Sequence, residues 1–253
     1  MEKKICAISD IHGSLIDIPE CDILCICGDI LPLDIQKNTI ESVAWLAGPF
    51  QTWLSEAPCE HVVLTWGNHD FIGERLFDYG TKNICDKQYK GMFGHNGEEQ
   101  SWDLFLNDEY DKITILVDDF VIIDGIKIYG TPWCPELFNW AFYGDTNKLN
   151  DKFSLIPDDT DIIITHCPPR FGQQGIVLQY GWNYLKNFGC QELQESINKK
   201  FKDSTKPVYV LSGHIHSGNH DWEKDGNILY RNVSIKNEDY RIDYSPLVFT
   251  MNI

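Results

Sequence analysis

The 253-residue chain carries 21 Lys and Arg against 38 Asp and Glu, for a net charge of -17, with 43% hydrophobic and 13% aromatic residues. Such a surface repels polyanions and anionic membranes in general, although bound metal can reverse the field locally for a phosphate substrate. The length suits one domain, residues 1–253, with a substantial core, and no apolar run reaches the roughly 18 residues of a membrane span.

Residues Lys4–Ser9 read as a first strand, nearly continuous in apolar character and hence buried on both faces. It runs into Asp10-Ile11-His12-Gly13, where continued extended chain would point Asp10 and His12 the same way. A second buried strand, Asp22–Cys27, ends at Gly28-Asp29. Residues Gln36–Ser55 have helical spacing, with Pro49 expected to kink or divide the helix. The run Val62–Trp66 is a third strand and stops at Gly67-Asn68-His69-Asp70. Residues Phe71–Tyr110 are irregular and glycine-rich, and are expected to form short helices and loops, with a lid as one possibility.

Strands resume at Ile113–Val117, Phe120–Asp124 and Ile126–Tyr129, and Asp124-Gly125 between the last two signals a hairpin. The aromatic patch of Phe138, Trp140, Phe142 and Tyr143 reads by default as core, with a substrate-facing ring as the minority reading. Thr160–Thr165 is another buried strand, ending at His166 and Cys167-Pro168-Pro169. Cys190–Phe201 carries Leu193, Ile197 and Phe201 on one helical stripe. Pro207–Leu211 is a strand ending at Gly213-His214-Ile215-His216, and Tyr230–Ser234 and Leu247–Met251 look like strands closing a sheet.

Nine cysteines, several inside apolar runs, and an opening without a signal-peptide pattern favour reduced, buried thiols in a cytoplasmic protein. Cys25 and Cys27 have no partner pair at zinc-site spacing, so a structural zinc is disfavoured. Trp133 and Tyr180 are read as core, with stacking on a base as the alternative, and Arg170 as either a contact to a substrate phosphate or a surface arginine.

Five strand ends therefore deliver polar residues: Asp10 and His12; Asp29; Asn68, His69 and Asp70; His166; His214 and His216. His61, His95 and His220 lack such a setting and are read as structural or surface histidines. Buried carboxylates and imidazoles need partners, and metal ions supply them economically. A mixed nitrogen and oxygen set favours Mn²⁺, Fe or Zn²⁺ over Ca²⁺ or Cu⁺. There are more donors than one catalytic ion uses, so two ions sharing a carboxylate is the natural solution.

Asp10-Ile11-His12, Gly28-Asp29, Gly67-Asn68-His69-Asp70, His166 and Gly213-His214-Ile215-His216 resemble, in order, the five motifs of the calcineurin-like metallophosphoesterase superfamily. Tyr129–Trp133, Asn139–Phe142, Thr165–Pro169 and Gly189–Leu193 further resemble its metallophosphoesterase-domain-containing, brain-type subfamily. The resemblance implies an α/β fold, a four-layer α-β-β-α sandwich of two mixed sheets flanked by helices. It also implies two divalent ions, Mn²⁺ foremost. Asp10, His12, Asp29 and His216 hold the first; Asp29, Asn68, His166 and His214 hold the second, so Asp29 bridges. His69 is then the general acid and Asp70 orients it. Some vertebrate members have a weakened site and hydrolyse poorly, but both His214 and His216 are present here, which implies an active enzyme. The expected activity is phosphodiesterase or phosphatase action on a small, nucleotide-like phosphoester. A nuclease is disfavoured by the charge and by the lack of a basic stretch. A non-catalytic nucleotide-binding regulator is disfavoured by the complete ligand set.

Overall fold

The computed structural model describes residues 2–77, 112–135, 137–179 and 184–252. Most of the segment expected to form short helices and a lid lies outside them, as do Tyr180 and His95. Strands β1 (Glu2–Ile8), β2 (Ile23–Cys27), β3 (His61–Thr65) and β4 (Ile113–Ile115) run parallel, and β15 (Leu247–Asn252) pairs antiparallel on β1. Five strands thus form one mixed sheet, in the order β15-β1-β2-β3-β4. The second large sheet is built from β5 (Asp119–Ile123), β6 (Ile126–Thr131), β9 (Ile162–Thr165), β12 (Val208–Ser212), β13 (Glu223–Asp225) and β14 (Ile228–Asn232). Its order is β13-β14-β12-β9-β6-β5, with the four inner strands parallel and both edges antiparallel. Two small ribbons complete the strands: β7 (Cys134–Pro135) with β8 (Tyr143–Gly144), and β10 (Ile176–Gln179) with β11 (Tyr184–Asn187).

The two-residue period of a strand divides the core. Ile23, Cys25 and Cys27 of β2 join Ile128 of β6, Ile162 and Ile164 of β9 and Leu211 of β12 in an apolar cluster between the sheets. Leu24 and Ile26 point the other way, into a cluster with Val43, Leu46, Phe50 and Leu54 of the helical segment. Ile163, Val208, Val210 and Tyr230 of the second sheet share that larger cluster with Leu149 and Phe153 of α4 (Thr146–Ser154) and with Leu193, Ile197 and Phe201 of α5 (Gln191–Phe201). Helices therefore cover both outer faces, which is the four-layer order the motifs implied.

Local chemistry sets the helix ends. Asn38 caps α1 (Thr39–Trp45) by accepting from the amides of Ile40 and Glu41, and Asp145 caps α4 by accepting from Lys148 N. The expected break at Pro49 is a wider π turn over Leu46–Phe50, which absorbs the missing amide before α2 (Gln51–Glu56) continues. A further helical stretch, α3, covers residues 71–77. The hairpin at Asp124-Gly125 has both residues at positive φ, 49° and 84°, as a tight primed turn needs. No helix among the described residues is long and apolar enough to cross a membrane. The eight cysteines described are free thiols, and all but Cys59 are buried.

Candidate metal centre

The carboxyl ends of β1, β2, β3, β9 and β12 meet at one edge of the sandwich, so residues far apart in sequence become neighbours. Asp29 lies at the middle. Its Oδ1 is 3.3 Å from His166 Nε2 and accepts from His69 N at 2.8 Å; its Oδ2 is 3.6 Å from His12 Nε2 and 3.8 Å from His69 Nε2. Asp10 Oδ1 is 3.2 Å from His216 Nε2, and the same carboxylate accepts from His214 N. Asn68 Oδ1 is 2.9 Å from His166 Nε2. Asp10, Asp29 and His166 are no more than 2% exposed, and Asn68, His12 and His216 no more than 7%.

The backbone is bent to make this possible. Asp10, His12, Asp29 and His214 all have positive φ, between 40° and 67°, a region that side chains other than glycine seldom adopt. Such strain concentrates at sites where the surrounding fold over-determines the conformation. The expectation that Asp10 and His12 align along extended chain is therefore corrected: β1 stops at Ile8, and the chain coils so that both reach the site from a turn. Two close approaches explain neighbouring glycines. A Cβ on Gly67 would lie 2.3 Å from Asp29 Oδ1, and one on Gly213 would lie 2.2 Å from Asp10 Oδ2.

Charge is tightly coupled here. Burial pushes Asp29 upward, but the positive imidazoles of His166 and His69 outweigh it and hold the carboxyl well below its usual range. Asp10 behaves alike, burial being outweighed by the hydrogen bond from His216. Burial also opposes charge on His166, yet Asp29 raises its pKa to about 10. Burial dominates at His12, lowered to about 4, and at His214, lowered to about 3.

The residues present fit divalent metal ions. Both ring nitrogens of His12 are buried without a hydrogen-bond partner, which is costly unless something else engages them. Three overlapping sets, Asp10/His12/His216, His12/Asp29/His69 and Asp10/Asp29/His166, each gather their donor atoms within 4.8 Å of one another. The outer nitrogens are tied down as metal-ligating histidines require: His166 Nδ1 donates to Cys27 O at 2.9 Å and His216 Nδ1 to Asn237 O at 3.0 Å.

Some expected roles change. Asp70, assigned by resemblance to orient His69, is fully buried, and among the described residues no hydrogen bond joins its carboxylate to that ring. Its carboxylate accepts instead from the amides of Ile30, Leu31 and Gly67, clamping the turn after β2 to the turn after β3. Burial, then the nearby Asp29, pushes its pKa to about 7. The ring partner of His69 is Gln36, whose Oε1 is 2.6 Å from Nδ1. His214 and His216, assigned to different ions, also have different neighbours. His216 meets Asp10, while His214 packs 5.0 Å from the His166 ring and groups its nitrogen with the thiols of Cys134 and Cys167. His69 shares a donor set with His12 and Asp29, so its separation from the ligands rests on the family motif.

Other residues are placed as follows. Trp133 is core, 1% exposed, with Nε1 donating to Asp118. Phe142 is fully buried and Phe138 is 69% exposed, while Trp140 is half-buried and packs 4.3 Å from the His69 ring. Arg170 is exposed. His220 donates to or accepts from nothing among the five strand-end side chains; its Nε2 is 3.0 Å from His216 O and its ring stacks on Tyr244 at 3.6 Å. Sequence reasoning missed Gln36 and Tyr240. Tyr240 holds φ 58° and sets its ring 5.0 Å from His12 and 5.1 Å from His216. Neither follows a strand end, so no pattern in the chain marks them.

The chain is similar to several known proteins. A UPF0046 protein of Caenorhabditis elegans is 29% identical over 254 residues, covering 96% of this chain and 58% of its own. Human metallophosphoesterase domain-containing protein 1 is 28% identical over 253 residues, covering 98% of this chain and 71% of its own. The chain thus spans little more than half the length of the worm relative. The crystal structure of phosphopantetheinyl hydrolase from Mycobacterium tuberculosis matches with a TM-score of 0.50 at 12% identity, covering 94% of this chain and 91% of that one, a likeness of fold. The family model described as Calcineurin-like phosphoesterase matches residues 3–218, a span that takes in all five strand ends, and the chain belongs to that family.

Proposed function

We propose that this protein is a metal-dependent phosphoesterase acting on a small, nucleotide-like phosphoester. The observation that carries the reading is His12: an imidazole 6% exposed, both nitrogens partnerless, beside the carboxylates of Asp29 and Asp10. Asp10, His12, Asp29 and His216 are assigned to one divalent ion and Asp29, Asn68, His166 and His214 to a second, with Mn²⁺ the first choice and Fe or Zn²⁺ compatible with the same donors. When bound, such ions supply an activated water and neutralise the charge that develops on phosphoryl oxygens.

The chain's own groups do the rest. His166 and His216 keep their Nε2 atoms facing Asp29 and Asp10 because each Nδ1 is committed to a backbone carbonyl. His69 Nε2 is on the Asp29 side and is assigned the proton for the departing oxygen, a step typically worth about 10²–10⁴-fold. Tyr240 stands beside the His12 ring, partly exposed, and offers a surface on which a base can stack, which supports a nucleotide-like substrate. The net charge of -17 weighs against a nuclease on long polyanions.

The test is hydrolysis of bis-p-nitrophenyl phosphate by the Mn²⁺-loaded protein, followed by a panel of cyclic nucleotides, dinucleotides and nucleoside monophosphates. Turnover of the generic diester is expected. No hydrolysis with Mn²⁺, Fe²⁺, Zn²⁺, Co²⁺ or Ni²⁺ rejects the enzyme reading, and nucleotide retention without turnover favours a binding protein.

A further inference from the structure

Gln36 lies in the connection between β2 and α1. Its backbone amide donates to Pro32 O at 3.1 Å, and its side-chain Nε2 donates to Leu33 O at 2.9 Å. A carbonyl oxygen only accepts, so the end of the amide turned to Leu33 must be its NH₂ group. That leaves Oε1 facing His69, 2.6 Å from Nδ1. An amide oxygen likewise only accepts, so His69 Nδ1 must carry the hydrogen. The other ring nitrogen, Nε2, faces Asp29 Oδ2 at 3.8 Å, on the side of the clustered donors. The ring plane is held as well. Trp140 packs on it at 4.3 Å, and Lys37, the neighbour of Gln36, lies over Trp140 at 5.2 Å and over Phe71 at 5.4 Å.

We propose that Gln36 is a positioning residue: it keeps a hydrogen on His69 Nδ1, so that Nε2 is the nitrogen that gives up its proton to the departing oxygen and the neutral Nδ1–H ring is left behind. The tautomer follows from hydrogen-bond bookkeeping; the proton's destination rests on the phosphoesterase reading. The device differs from the expected one. A neutral amide orients the ring from outside the cluster, while the Asp70 carboxylate is spent on three backbone amides. Orientation is gained without adding a negative charge next to the imidazole.

The experiment is long-range proton–nitrogen NMR on protein with isotope-labelled histidine, loaded with diamagnetic Zn²⁺. His69 is expected as Nδ1–H in the wild type and in Gln36→Glu, which keeps an acceptor, and to lose that single state in Gln36→Leu. Gln36→Leu is also expected to lower kcat on substrates with poor leaving groups by about 10–100-fold, with KM and zinc content unchanged. Should Gln36→Leu fail to fold, Gln36→Asn withdraws the acceptor by one methylene while staying polar, and carries the same expectation. A wild-type ring with hydrogen on Nε2 and none on Nδ1, or an unaltered His69 signal in the folded Leu or Asn variant, overturns the proposal. The spectrum needs no turnover. A wild-type protein inactive on every phosphoester therefore overturns the phosphoesterase reading, while the tautomer is still judged by its own signal.

Discussion

Replacing Asp70 by Ala separates two accounts of that carboxylate. In the structure it accepts from Ile30 N at 2.9 Å, Leu31 N at 3.0 Å and Gly67 N at 2.8 Å, in surroundings without solvent exposure. Removing it orphans three buried amides, each worth about 1–3 kcal/mol when left unsatisfied. Relief of a buried charge, the same burial that pushes the carboxyl to about 7, offsets part of that loss. Taking the low end for each amide, the net cost is roughly 3 kcal/mol, a fall in Tm of about 6–12 °C for a chain of this size. The two turns it joins carry Asp29 and Asn68, so metal affinity should fall with stability. Asp70→Asn retains one acceptor oxygen and should lose only part of both. Calorimetry and metal analysis after dialysis, on both variants, make the measurement. If Asp70→Ala keeps its Tm and metal content and loses only turnover of poor leaving groups, the carboxylate acts on His69 after all and the clamp reading is wrong.

Other expectations concern the remaining site residues. His69→Ala should spare metal content and cut hydrolysis of poor leaving groups by about 10²–10⁴-fold while barely touching activated p-nitrophenyl esters; equal loss for all substrates would contradict the acid role. Asn68→Ala should release one of the two ions on dialysis, read by elemental analysis, because its Oδ1 stands beside His166; unchanged metal stoichiometry argues against its place in the ligand set. The metal-free protein should lose stability as pH falls from about 6.5 toward 4. His12 and His214 are held below their unfolded values, so the unfolded chain takes protons that the native state refuses, at up to about 1.4 kcal/mol per pH unit for each group; Asp70, raised to about 7, has the opposite slope over that range and offsets about one group's share. His166 has the opposite sign. Its folded pKa is raised, so its contribution is full below about 6.5 and is lost as pH climbs toward 10. Denaturant titrations of chelator-treated protein should therefore show a maximum near 6.5, and a flat profile between 6.5 and 4.5 would refute the assignment.

The sequence by itself determined where the chemistry is delivered. Continuous apolar runs such as Ile23–Cys27 can only be strands buried on both faces, and a polar residue just beyond such a run must surface at the sheet's edge. That local rule found Asp10, Asp29, Asn68, His166 and His216, and the motif order supplied the family. The tertiary structure decided which of these residues meet, and through what. The left-handed backbone at Asp10, His12, Asp29 and His214 is set by neighbouring turns; Asp and His tolerate that region better than most side chains, but residue type alone does not place them there. Asp70 follows His69 directly, yet besides the amide of Gly67 its carboxylate is bound by the amides of Ile30 and Leu31, 40 and 39 positions away. Gln36 reaches His69 across 33 positions, from a loop that no periodicity marks. Hydrophobic patterning encodes which face of a segment is buried; hydrogen-bond partners across that face depend on how packed strands and their connecting turns come together, and those distances exist only once the chain has folded.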